Sequence, residues 1–193
     1  MFKKIIATTI MTTAFAFTSV SNAKGTSEAF GKNVVNVNIT EEEVQAAQEA
    51  WGKALIQISK DFDSKGLKKA TETANAVLDA AYGYKEGAVL FKPTLTTGEQ
   101  TFRTTKEGAL AYFVGGNKNF PNDKGFALKG WDKYEYKNAA VYINGDMAIT
   151  TGNVFLTDKK GNVTKVDKTW GFKKDCQGKL KIVLHHSSLP YNP

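Results

Sequence analysis

From Phe126 to Leu189 the chain reads FALKGWDKYEYKNAAVYINGDMAITTGNVFLTDKKGNVTKVDKTWGFKKDCQGKLKIVLHHSSL. Five runs rich in β-branched and aromatic residues stand out: Phe126–Lys137, Ala139–Ile143, Met147–Thr157, Val163–Lys174 and Leu180–Leu189. Such runs are predicted strands. Asn144-Gly145-Asp146, Asp158-Lys159-Lys160-Gly161-Asn162 and Asp175–Lys179 supply the Gly, Asn and Asp that tight connections need. The stretch therefore predicts a long antiparallel meander.

Upstream the grammar is helical. Thr40-Glu41-Glu42-Glu43 is a capping box, and Ile39 and Val44 can staple it. Val44, Ala47, Trp51, Leu55, Ile58 and Phe62 then recur at spacings of three and four, the apolar stripe of a long amphipathic helix. Asp63-Ser64-Lys65-Gly66 breaks it, and a second helix over about Leu67 to Ala81 buries Ala70, Ala74, Val77, Leu78 and Ala81. Ala88–Lys92 reads as a short strand ended by Pro93, and Gln100–Arg103 as another. A second capping box, Thr104 to Glu107, opens a short helix through Phe113 that Gly115-Gly116 stops. Helices first and strands last argue α+β rather than α/β. A strongly curved antiparallel sheet wrapping the long N-terminal helices makes a cone, whose open end suits a small ligand.

The N-terminus has a different character. Met1-Phe2-Lys3-Lys4 precedes an uncharged run from Ile5 to Ala23 that closes on Ser21-Asn22-Ala23. That pattern predicts a secretory signal peptide over residues 1–23, cleaved near Ala23, and hence a periplasmic or secreted protein. Residues 24–38 read as a flexible leader and 39–193 as a single domain. Cleavage leaves 170 of 193 residues, enough for a real core, and lowers the net charge from +7 to +5. No run concentrates Lys and Arg, so nucleic acid is not an expected partner, nor is a membrane after cleavage. Cys176 is the only cysteine, which excludes an intramolecular disulfide.

Both histidines lie in the last predicted strand, in Leu184-His185-His186-Ser187-Ser188. Alternation puts His185 and Ser187 on one face and His186 and Ser188 on the other. One face thus pairs a general-base candidate with a hydroxyl. The plainer alternative is a polar tail that ends a sheet. A catalytic zinc needs three protein ligands, and two histidines facing opposite ways do not share an ion. No H-x-x-H, C-x-x-C, H-E-x-x-H or G-x-S-x-G is present. What remains is a hydroxyl-rich set with one imidazole: Thr94 after Pro93, Tyr112 on the third helix, His185 and Ser187. Each also has a structural reading, as a turn cap, a core phenol, a satisfied histidine or a backbone-bonded serine.

Phe91-Lys92-Pro93-Thr94, Phe102-Arg103-Thr104, Ala109–Gly116 and His185–Tyr191 together resemble the iota-class carbonic anhydrases. The likeness runs from about Val44 to Tyr191. It implies the fold shared by nuclear transport factor 2 and the association domain of calcium/calmodulin-dependent kinase II. It further implies an enzyme that interconverts CO2 and bicarbonate, with a small-molecule substrate and a homodimeric assembly. The family's pocket threonine, tyrosine, histidine and serine fall on Thr94, Tyr112, His185 and Ser187. Many relatives carry a third histidine where this chain has Leu184, a departure that favours a metal-free site. No cofactor is expected, with zinc, manganese and calcium the ions to test. In that scheme His185, with an ordinary pKa of about 6.5, takes the proton from water. Tyr112 with His185 as its relay is the alternative. Thr94 and Ser187 position bicarbonate, and Phe91, Phe113, Trp131 and Trp170 wall the apolar substrate. Two rival readings stay open, a non-catalytic small-ligand module and an oligomerisation domain.

Overall fold

The computed structural model describes residues 37–193. The expected signal peptide and most of the 24–38 leader lie outside them. Helix α1 spans Glu41–Ala81 and opens on the expected box: Thr40 Oγ1 accepts from the Glu43 N–H, and the Glu43 carboxylate accepts from the Thr40 N–H. Gly66, with φ 77° and ψ −176°, interrupts it where the sequence predicts a break. That backbone conformation suits a residue without Cβ.

Strand β1 is Leu90–Lys92, helix α2 Lys106–Val114, and the sheet continues with β2 (Trp131–Asn144), β3 (Met147–Asp158), β4 (Val163–Lys174) and β5 (Leu180–Ser188). The sheet order is β1-β5-β4-β3-β2. The meander is antiparallel as expected, but β1 joins β5 in parallel, pairing Phe91 with His185. A parallel partner needs a long crossover, and residues 93–179 supply it. The sheet is open, and α1 packs on both β2 and β5, so the strands curl about the helix.

Four local expectations change. Residues 100–103 form no strand; Gly98–Gln100 is a 3₁₀ turn, although the Arg103 N–H still donates to Phe91 O. Helix α2 is capped by Thr105, whose Oγ1 accepts from the Gly108 N–H, one residue later than the Thr104 box. Phe126–Leu128 is 3₁₀, and β2 begins at Trp131 after Gly130. The two runs predicted on either side of Asn138 are one strand, with a register shift between Asn138 and Ala140. A bulge of this kind bends a strand without ending it.

The core lies between α1 and the concave sheet face. Trp51, Leu55, Ile58, Leu78, Phe91, Leu156, Trp170 and Phe172 are all buried. Burying a side chain of this size contributes about 1.5–3 kcal/mol. Into this apolar layer the fold also places His185, Ser187 and Lys168.

Candidate active site

His185 and Ser187 are each 1% exposed on the inner face of β5, while His186 faces outward, as alternation requires. The register sets what surrounds them. Trp170 on β4 and Phe91 on β1 both pair with His185, so the three rings form a row across the sheet. The imidazole stacks between them, with centroids 4.4 Å from Phe91 and 4.4 Å from Trp170. Trp51 of α1 meets it edge-on at 5.5 Å. Lys168, two residues before Trp170 and opposite Ser187, enters the same layer.

Both imidazole nitrogens are engaged. Tyr82, directly after α1, places its hydroxyl 2.8 Å from Nδ1. That hydroxyl also accepts from Trp51 Nε1–H at 2.9 Å. Lys168 Nζ lies 2.7 Å from Nε2 and 3.3 Å from Ser187 Oγ, above the rings of Trp51 and Trp170. An indole only donates, whereas a hydroxyl donates one hydrogen. The arrangement that leaves no group idle has Tyr82 donating to Nδ1 and Nε2–H donating to a neutral Lys168 amine. Electrostatics agree. Burial holds the Lys168 ammonium down to about 7, from 10.5. Burial, then the nearby Lys168 and His186 charges, keep the imidazolium of His185 well below its ordinary range.

A second cluster sits on the far side of Phe91. Tyr112, 5% exposed on α2, meets Phe91 edge-on at 5.8 Å, and Phe113 stacks on Phe91 at 5.8 Å. The Tyr112 hydroxyl is buried and makes no hydrogen bond of ordinary geometry. Burial pushes its phenol up, and the hydroxyl and backbone of Thr94, with the backbone of Leu95, pull the other way. Tyr112 also lines a cleft of about 200 Å³ with Leu95, Asp123, Phe126 and Lys129. Arg103 clamps Asp123 beside this cleft through two bonds of 2.9 and 3.0 Å. A roomier groove of about 630 Å³, between α1 and β2, holds none of the candidate residues.

The structure thus joins His185 to Ser187 through Lys168, sets Thr94 near the Tyr112 hydroxyl, and links the two groups through Phe91. Trp170 and Phe113 also belong to this aromatic layer. Trp131 does not reach His185: its indole donates to Phe126 O at 2.7 Å, and Phe126 stands between it and Tyr112. Tyr82 and Lys168 carry contacts that the sequence reading does not include, and Trp51 is read there only as core. The signal for Lys168 was available: Val166, Lys168, Trp170 and Phe172 alternate onto one buried face. Among the described residues, no three of His, Cys, Asp and Glu gather as a metal-ligand set.

The curved sheet around a long helix is a fold that this chain shares with a kinase association domain. The putative calcium/calmodulin dependent protein kinase II association domain of Xanthomonas campestris matches with a TM-score of 0.51 at 22% identity, over 83% of this chain and 94% of that one. Residues 42–189 match the family of metal-independent carbonic anhydrases, and the chain belongs to that family. A metal-independent carbonic anhydrase of Nostoc sp. (strain PCC 7120 / SAG 25.82 / UTEX 2576) is 61% identical over 158 residues, 82% of this chain and 77% of that relative. The crystal structure of a cyanobacterial iota-carbonic anhydrase complexed with bicarbonate matches with a TM-score of 0.82 and 60% identity, over 83% of this chain and 98% of that one.

Proposed function

We propose that this protein interconverts CO2 and bicarbonate without a metal, at the cluster built around His185. The observation that carries the reading is a buried, ring-sandwiched imidazole with a hydroxyl and an amine fixed on its two nitrogens. The bicarbonate complex of the 60% identical structure supports the choice of substrate.

Hydration needs an attacking water that loses a proton and donors for the charge that forms on the CO2 oxygens. His185 and Tyr112 orient the groups between which the proton and the forming charge pass. Thr94 and Ser187 hold the bicarbonate oxygens, together with the unpaired Tyr112 hydroxyl. Fixed donors in a site walled by Phe91, Phe113 and Trp170 act with little water to screen them, which is where such hydrogen bonds are strongest. The test is stopped-flow CO2 hydration by chelated, metal-analysed protein. His185→Ala and Tyr112→Phe are each expected to lose about a hundredfold or more in kcat/KM while keeping the native circular dichroism spectrum. Wild-type rates in either folded variant remove that residue from the assignment. An inactive wild-type protein, with or without added zinc, manganese or calcium, removes the enzyme reading itself.

A further inference from the structure

Lys168 is a full-length basic side chain on the apolar face of a central strand. Among the described residues it forms no ion pair, although buried lysines ordinarily find a carboxylate. Its amine instead touches His185 Nε2 and Ser187 Oγ, both of which the proposed function places at the substrate. The geometry points to Lys168 as the proton acceptor of the hydration step and, once protonated, as the counter-charge of bicarbonate. This rests on the carbonic anhydrase reading and deepens it by naming the base.

The argument follows from counting hydrogens. With Tyr82 donating to Nδ1 and Nε2 carrying its own hydrogen, His185 has no free lone pair for a proton from water. The basic lone pair outside the imidazole belongs to Lys168, which gives up the weak Nε2–H bond when it takes the proton. A water beside Ser187 Oγ attacks CO2 and its oxygen–carbon bond forms. One C=O electron pair moves onto oxygen, and the water's proton moves onto Nζ. The products are bicarbonate and an ammonium. An ammonium cannot accept from Nε2–H, so Nζ moves off and a bicarbonate oxygen takes its place as the acceptor. Loss of the ammonium proton to incoming solvent, as bicarbonate leaves, restores the amine.

The charged and titratable surroundings fit such a base. From β5, His185 is neutral; from the end of α1, Tyr82 is held protonated by burial; α1 and β4 otherwise present the indoles of Trp51 and Trp170. From β1, the Lys92 ammonium bonds the Ser187 carbonyl. An amine that ionises near neutrality, at about 7, is poised to accept a proton at working pH.

The experiment compares wild type, Lys168→Met and Lys168→Arg in stopped-flow CO2 hydration across the neutral pH range, with circular dichroism as the check on folding. In wild type, kcat/KM is expected to rise with pH through a midpoint near neutrality. Both variants are expected to lose about a hundredfold or more, with that midpoint gone from any residual rate. Arginine keeps the charge but cannot become neutral, so an active Lys168→Arg protein overturns the base role. So does a wild-type midpoint that persists in Lys168→Met. If the variants do not fold, NMR titration of the Lys168 side chain in wild type decides. A midpoint near neutrality that moves on adding bicarbonate supports the role, and an ordinary lysine titration overturns it. An active wild type with indifferent variants removes only this inference, whereas an inactive wild type removes the enzyme reading beneath it.

Discussion

Tyr82 is where the whole hydrogen-bond count turns, because one hydroxyl serves both the Trp51 indole and His185 Nδ1. Tyr82→Phe keeps the ring and leaves two buried polar groups without their partner. Each such orphan costs about 1–3 kcal/mol, so chemical denaturation should show a clear loss of stability. Imidazole nitrogen shifts in NMR should show the single tautomer replaced by a mixture. An unchanged denaturation midpoint means that water takes the place of the hydroxyl. At this scale the sequence was legible where a rule of geometry applied. Strand alternation put His185 and Ser187 on one buried face and sent His186 out. The same rule reaches Lys168 once its neighbours Val166, Trp170 and Phe172 are read as inward. Tyr82 continues the four-residue spacing of Ala70, Ala74 and Leu78, so its burial follows the helix period, but its bond to His185 joins residues far apart in the chain and leaves no local mark. Trp131, whose residue type suits a pocket wall, stands at the start of β2 with Phe126 between it and Tyr112.

Among the elements, α1 approaches the sheet closely at Gly52. A Cβ there would lie 2.0 Å from the Tyr134 ring, whose hydroxyl donates to Gln48 O one turn earlier. Gly52→Ala must push helix or ring aside, so it should destabilise by about 1–3 kcal/mol, against the gain that alanine normally brings to a helix. Thermal unfolding checks the sign, and a rise in Tm would mean that Tyr134 moves freely. Helix starts and the break at Gly66 were legible because caps and glycines act locally. The β1 pairing was not, because a three-residue strand bonded in parallel to a partner more than ninety positions away leaves no periodic mark. The bulge near Asn138 looked like a strand end because a shift in register and a stop disturb alternation alike.

For the molecule as a whole, the buried bases set how stability depends on pH. Between about 7 and 10.5 the unfolded chain holds a proton on Lys168 that the native chain lacks. Below 6.5 the unfolded His185 gains a proton that the native imidazole refuses. In both windows the unfolded state binds more protons, so stability rises with pH. The buried phenols of Tyr82 and Tyr112 reverse the slope only above about 10, where the unfolded chain ionises first. Urea midpoints should therefore climb from about pH 6 to about pH 9. Lys168→Met should climb less and exceed wild type at the acid end. Equal slopes would mean that Lys168 meets water in the native state. The expected gain in stability with loss of rate is what a site that spends folding energy on an unpaired base requires.

The order β1-β5-β4-β3-β2 carries one more consequence. Among the described strands, the last in chain order is an interior one, inserted between β1 and β4. Until it arrives, β1 has no partner and β4 presents an open edge, so no catalytic row exists. A growing chain has the long helix and the hairpins available early, but its chemistry waits until β5 has been made. Synthesis and competence are thereby separated in time, by topology alone.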